Sequence, residues 1–373
     1  MNVLIYYAFA ALAGICFLFQ VLYLLIRQSS LNKYLSTQEP ANVNIPVSVV
    51  ICARNEAENL QRFLPAFLNQ KYPVFEVVLV NDCSVDDSKW ILEAMEKEYS
   101  NLKIVTVTES RNFVTGKKFA VTMGIKAAKY DCLLFTDADC EPASENWISL
   151  MAAEFSNPEN DIVLGYSPYH KTGGLLNAMI RFETIKTAIN YLSAAVKGDA
   201  YMGVGRNMGY RKQLFFDNKG FASHMHIMSG DDDIFVNQNA TSTNVAIITD
   251  HQSFTLSEPK RTFGQWIRQK RRHMGAGKMY KTRHKRLLTL DAFTGLLFYA
   301  ALFVCIGNPI TLYSALGMLV LRWLLQLIIY IKPFKHFWGK DLLWLMPFYD
   351  LFYYLSINVF GLMGAFGRTK KWK

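Results

Sequence analysis

The sequence predicts an α/β protein: a doubly wound, mostly parallel sheet domain flanked by transmembrane helices. Three observations carry that reading. Four short β-branched runs between residues 47 and 136 alternate with segments of helical periodicity. Each run ends in polar or acidic residues, and open parallel sheets bind ligands at that end of their strands. Long apolar stretches stand on both sides of the region.

Taken in order, Val3 to Ile26 carries no charge and is apolar on every face. It exceeds the ~20 residues that span a bilayer. Only Met1 and Asn2 precede it, so no basic n-region of a cleaved signal is present. Arg27 and Lys33 follow it, which predicts an uncleaved anchor with the next domain in the cytoplasm. Val47 to Ala53 reads as a buried strand, and Asn55 to Gln70 as a helix with Leu60, Phe63, Leu64 and Phe67 on one face. Glu76 to Asn81 is the second strand, and Asp86 with Asp87 caps a helix over Ser88 to Tyr99. Ile104 to Val107, a helix over Lys117 to Tyr130, and Cys132 to Thr136 follow, with Pro142 opening the next helix. Leu175 to Val196 reads as an amphipathic helix that lies at the membrane or covers a cleft. Ala292 to Ile306 and Ile310 to Ile331 are two further spans, broken at Gly307-Asn308-Pro309. Arg322 in mid-span must snorkel or face protein. Leu342 to Phe366 contains Pro347 and Asp350, so the count is three or four spans. The division expected is an anchor over 1–28, a soluble domain over 44–286, a C-terminal membrane region over 287–367 and a basic tail over 368–373.

Composition narrows the function classes. Charged residues make up 19% and hydrophobic residues 51% of the 373 residues, against about 25% charge in soluble domains. A net charge of +10 suits nucleic acid, anionic lipid or a phosphorylated substrate. Eleven Lys and Arg with no acid lie between Pro259 and Leu290. No groove-reading motif accompanies them, so a basic belt on anionic lipid is expected over Lys278 to Arg286, and nucleic acid is not an expected partner. The six cysteines form no C-x-x-C pair, which argues against a zinc site or a disulfide scaffold.

The chemistry-bearing residues form an ordered set. Ala53-Arg54-Asn55-Glu56 follows the first strand, and Asn81-Asp82-Cys83-Ser84-Val85-Asp86 ends the second. Gly116-Lys117 opens a helix, Asp137-Ala138-Asp139 follows the fourth strand, and Gly205-Arg206-Asn207-Met208-Gly209-Tyr210-Arg211 lies further on. Asp231-Asp232-Asp233 and Trp266-x-x-Gln269-x-x-Arg272 complete the set. Strand-end carboxylates can hold ribose or a base, and two carboxylates one residue apart can hold a nucleotide hydroxyl and a divalent cation.

Together these motifs resemble the family 2 glycosyltransferases of the GT-A fold, from Val47 to about Gly277. The resemblance implies an inverting, metal-dependent hexosyltransferase using a nucleotide diphosphate sugar, expected to be a UDP-sugar. The acceptor implied is a lipid or a glycan of the cell envelope. It places Arg54, Asp82, Lys117 and Asp137 at the nucleotide, Asp139 at Mg²⁺ or Mn²⁺, and Gln269 and Arg272 at the leaving diphosphate. The general base implied is Asp232, or Asp233 if the register shifts by one. His273 stands where the family carries Trp, which counts against chain elongation. A processive polysaccharide synthase and a sugar nucleotidyltransferase are the alternatives, and the second lacks its glycine-rich loop here. The expected location is the cell (inner) membrane, multi-pass, with the catalytic domain cytoplasmic.

Overall fold

A computed structural model describes residues 3–35, 43–108, 116–227 and 229–366. Thr115 and the basic tail 368–373 lie outside the described residues. The chain opens with helix α1 (Val3–Ile26) and runs through β1 (Val47–Ala53), α2 (Ala57–Leu68), β2 (Phe75–Asp82), α3 (Ser88–Glu98), β3 (Leu102–Val107), α4 (Lys117–Ala127) and β4 (Cys132–Asp137). There follow β5 (Cys140–Pro142), α5 (Trp147–Ala153), β6 (Ile162–Leu164), α6 (Gly174–Val196), β7 (Met208–Arg211), α7 (Lys212–Asp217), α8 (Asp233–Asn239), β8 (Val245–Ile247) and β9 (Thr255–Ser257). The last elements are α9 (Phe263–His273), α10 (Thr282–Cys305), α11 (Pro309–His336) and α12 (Met346–Phe366).

Among the described residues, seven strands form one sheet in the order β3-β2-β1-β4-β7-β6-β8. Only β7 runs against its neighbours β4 and β6. The chain builds outward from β1 to β3, then returns to the other side of β1 for β4. That reversal leaves a crevice at the carboxyl ends of β1 and β4, the place where such sheets take ligands. Every residue of β1 is buried. Val47, Val49 and Ile51 face a core made with α2 and α5, while Val50 and Cys52 face one made with α4, α6 and α8. Two buried faces explain why this strand reads as a continuous apolar run.

Pro142 does not open a helix. It ends β5, which pairs antiparallel with β9 through Cys140 to Ser257 and Pro142 to Thr255. A proline without an N–H is tolerated at such an edge, and the helix begins later, after Asn146. α6 is not a surface amphipath either, because every residue from Ala188 to Ala195 is buried. It lies between the sheet and the C-terminal helices, with Phe182 against Phe334 of α11 and Tyr349 of α12.

Among the described residues, three helical segments are long and apolar enough to cross a membrane: Val3–Lys33, Thr282–Cys305 and Pro309–His336. Asn308 caps α11 by accepting from the N–H groups of Ile310 and Thr311, and Pro309 fills the first turn. The stretch Leu342 to Phe366 is divided, a short 3₁₀ segment over Lys340–Leu345 preceding α12. Arg322 faces protein and is 1% exposed. Its guanidinium donates to Asp350 Oδ2 at 2.7 Å, and the buried Lys186 ammonium of α6 pairs with the other oxygen of that carboxylate.

Candidate active site

The turns after β1 and β2 interlock. Asn55 and Cys83 both hold positive φ, 55° and 53°. Asn55 N–H donates to Ser84 Oγ at 3.0 Å, and Asn55 Oδ1 accepts from Val85 N–H at 2.9 Å. Asn55 therefore joins the two turns and does not cap a helix. Asp86 caps both neighbouring helices, accepting from Ala57 N–H of α2 at 3.0 Å and from Ser88 N–H of α3 at 3.1 Å, whereas Asp87 makes no side-chain cap. Partial burial opposes ionisation of Asp86, but hydrogen bonds from Ser88 and Ala57 outweigh it and hold the carboxyl below its usual range. This frame sets Asp82, fully buried at the end of β2, with its carboxylate 3.7 Å from the Arg54 guanidinium.

Lys117 opens α4 beside the end of β4. Its ammonium lies 3.0 Å from Asp137 Oδ1 and 3.1 Å from Asp231 Oδ2. Burial disfavours that charge, yet Asp137, Asp231 and Asp232 more than compensate and hold the amine well above its ordinary range. Asp137 responds in the opposite sense: burial raises it and the Lys117 ammonium pulls it below the usual carboxylate range. Lys118 does not face solvent. It is 3% exposed and donates to the backbone oxygens of His224 at 2.7 Å and Ile227 at 3.1 Å. Consecutive lysines on α4 thus grip the two ends of the segment that leads into Asp231.

The three carboxylates of that segment point to different partners. Asp231 meets Lys117. Asp232 accepts from Gly205 N–H and from Asp233 N–H, both at 2.8 Å. A Cβ at Gly205 would sit 3.2 Å from Asp232 Oδ2, so glycine lets that backbone approach. Asp233 accepts from Ile234 N–H and from Tyr280 O–H, both at 2.7 Å. Tyr280 thereby turns Asp233 away from the Lys117 cleft, which Asp231 and Asp232 both line.

Asp139 remains partly exposed, its proton affinity raised by burial and by the neighbouring Asp137. A cation relieves both effects. Among the described residues no three His, Cys, Asp or Glu side chains gather to hold an ion by themselves. The donor set fits Mg²⁺ or Mn²⁺, which accept one or two carboxylates and complete their shell with phosphate oxygens and water. Arg206, in a motif the sequence marks without assigning it a role, adds a cation here. Its guanidinium lies 4.3 Å from the Tyr169 ring, its Nη2 donates to Ser167 O at 3.1 Å, and its charge acts on Asp137 and Asp139. Gln269 reaches Tyr169 O–H at 3.5 Å, and the Arg272 charge also acts on Asp137. Of the eight residues marked from the motifs, Arg54 thus stands with Asp82, Lys117 with Asp137 at the cleft, and the charges of Asp139 and Arg272 act on Asp137. Asp232 borders the same cleft, and Gln269 joins through Tyr169.

Residues 48–217 match the model of Glycosyl transferase family 2, and residues 133–362 that of Glycosyl transferase family group 2. The second match alone covers more than half of the chain. The chain is a family 2 glycosyltransferase. This glycosyltransferase is similar to glycosyltransferase AglE of Haloferax volcanii, 28% identical over 236 residues that make up 62% of this chain and 73% of the relative. It is also similar to a poly-beta-1,6-N-acetyl-D-glucosamine synthase of Staphylococcus epidermidis, 29% identical over 119 residues, 32% of this chain and only 28% of that protein's length. Among solved structures, the mannosyltransferase PcManGT from Pyrobaculum calidifontis, in complex with GDP-Man and Mn²⁺, aligns over 95% of this chain and 98% of its own. The TM-score is 0.62 at 18% identity, which establishes the shared GT-A fold of the glycosyltransferase.

Proposed function

We propose that this glycosyltransferase is a membrane-bound, inverting, metal-dependent enzyme that moves a hexose from a UDP-sugar to a lipid or glycan acceptor. The observation that carries the reading is the Lys117 ammonium held between Asp137 and Asp231 at the carboxyl edge of the sheet. A donor diphosphate entering that cleft offers the ammonium a stronger anion. Lys117 then leaves Asp231, and the freed carboxylate takes the proton of the acceptor hydroxyl as its oxygen bonds to the anomeric carbon. The bond from that carbon to the diphosphate breaks with its electron pair, giving a nucleoside diphosphate. Asp231 is preferred to Asp232 as the base because both oxygens of Asp232 already accept backbone N–H groups.

Arg54 and Asp82 hold the nucleoside end of the donor, and Asp137 with Lys117 the ribose and diphosphate. Asp139 would hold the divalent cation, which supplies Lewis-acid neutralisation of the leaving diphosphate. Arg272 and Gln269 stabilise the charge that develops there. Arg27 and Lys33 after α1, and Lys332 and Lys335 near the end of α11, support a cytoplasmic catalytic domain over 44–286, with membrane segments over 1–28 and 287–367.

The test is to incubate the full chain, in nanodiscs carrying envelope lipid extract, with UDP- and GDP-sugars and to measure nucleoside diphosphate release. UDP release that rises with added lipid, and that Asp139→Ala abolishes while the fold persists, supports the reading. GDP release alone would replace the donor assigned here. Full turnover in excess chelator would overturn the metal role.

A further inference from the structure

A second polar site shares no residue with the Lys117 cleft. Ile26 and Arg27 at the end of α1, Lys197, Gly198 and Asp199 after α6, and Arg283 in the first turn of α10 line an open cavity of 330 Å³. Asp199 organises it. One oxygen accepts from Arg27 Nη2 at 2.6 Å, and the other receives Arg283 and, at 2.8 Å, His284 Nε2. The Asn237 amide lies 3.0 Å from His284 Nδ1 and donates to it, so Nε2 carries the ring proton and the imidazole is neutral. Arg27, Lys197 and Arg283 therefore outnumber the single carboxylate by two positive charges. Gly198 holds φ +66°, and a Cβ there would stand 2.8 Å from Ser242 O, so no side chain fills that wall.

Position decides the ligand. Arg27 directly follows the apolar run of α1, at the depth of lipid headgroups. Leu22, Leu25 and Ile26 are 46%, 46% and 62% exposed on the adjoining surface of α1, a track for acyl chains. Guanidinium forks with a neighbouring ammonium match the oxygens of a phosphodiester. We propose that this cavity is a discrete binding site for the phosphodiester headgroup of an anionic phospholipid, with its chains lying along α1. It goes beyond a diffuse basic belt, because it joins three separate elements around one carboxylate.

The test uses the full chain in nanodiscs of phosphatidylcholine doped with phosphatidylglycerol, reading bound phosphatidylglycerol by native mass spectrometry and leaving transferase activity aside. Wild type should retain phosphatidylglycerol over phosphatidylcholine. Arg27→Gln/Lys197→Gln/Arg283→Gln should weaken that retention by about tenfold or more. Lys197→Glu, at an exposed residue whose loss does not disturb Asp199, should weaken it several-fold in a chain that still folds. Lys285→Gln/Arg286→Gln, on the same turn of α10 but outside the cavity, should leave it within about twofold. Equal losses in the two groups of variants would reduce the site to a general belt and overturn the proposal. Inorganic phosphate binding wild type as tightly as the lipid would overturn the lipid assignment in favour of a soluble phosphate.

Discussion

Asp231, Asp232 and Asp233 are neighbours in sequence and have three different surroundings. Asp231→Asn should lower kcat by about 10²–10⁴-fold, the usual worth of a general base, while nucleotide binding, measured by calorimetry, persists on Asp82 and Asp137. Asp232→Asn instead sets an amide N–H against one of two backbone N–H donors. It should cost about 1–3 kcal/mol of stability and reduce kcat far less. A larger kcat loss in Asp232→Asn than in Asp231→Asn would return the base to Asp232. Asp233 gives a pH prediction. Burial and the Asp232 charge raise its carboxyl to about 8, whereas the unfolded chain releases that proton near 4. Between those values the native state holds more protons, so its contribution to stability falls as pH rises from about 4 to 8. The thermal midpoint of Asp233→Asn should fall less than that of wild type between pH 5.5 and 8. The motifs make the acidic run and Lys117 legible from sequence, since strand ends and helix starts are local features. Which carboxylate meets the lysine is not legible, because the placement of α4 against the segment before α8 decides it. Lys118 and Arg206 escape for the same reason: their roles lie in the backbone of His224 and Ile227 and in the Tyr169 ring.

At the scale of elements, the parallel strands are read correctly because a strand buried on both faces must be an apolar run. Pro142 misleads, since a helix start and an edge strand tolerate the same missing N–H, and only pairing with Thr255 separates them. α6 misleads for a related reason. Lys186, Arg181 and Asn190 look like a polar face in sequence, yet all three are buried among partners from distant segments. α9 is tied to α12 through Trp266, whose ring stacks on Phe352 at 5.9 Å and meets Phe360 edge-on at 5.1 Å. Gln269 and Arg272 therefore stand on a helix anchored to the C-terminal region. A fully buried tie between α6 and that region is Asp350, which serves Lys186, Arg322 and the Tyr299 hydroxyl. Asp350→Ala leaves two buried cations without their counter-ion, and should cost about 3–5 kcal/mol. The check is a lowered unfolding midpoint in detergent together with reduced yield of monodisperse protein.

For the whole molecule, the positive-inside rule yields a labelling prediction. Val85, 91% exposed on the sheet domain, and Ile306, 58% exposed at the turn between α10 and α11, should lie on opposite sides of the membrane. A membrane-impermeant maleimide should modify Ile306→Cys in intact cells and reach Val85→Cys only after the cells are opened. The reverse pattern would invert the topology.

The core that contains Val50 and Val78 of the sheet also contains Leu24 of α1, Phe182 of α6 and Tyr354 of α12. A ribosome releases these parts in that order of number, not in order of need. Translation runs at ~5–20 residues per second, so the roughly 150 residues from the end of α6 to the start of α12 take roughly 8–30 s. For most of that interval α6 lacks α11, and until its end it lacks α12, so the apolar side those helices cover faces water, lipid or a chaperone. The residues that line the Lys117 cleft all precede Asp233, yet the core beneath them is complete only when α12 has been made. Ribosome-bound chains halted before α12 should therefore be far more sensitive to protease around α6 than finished ones.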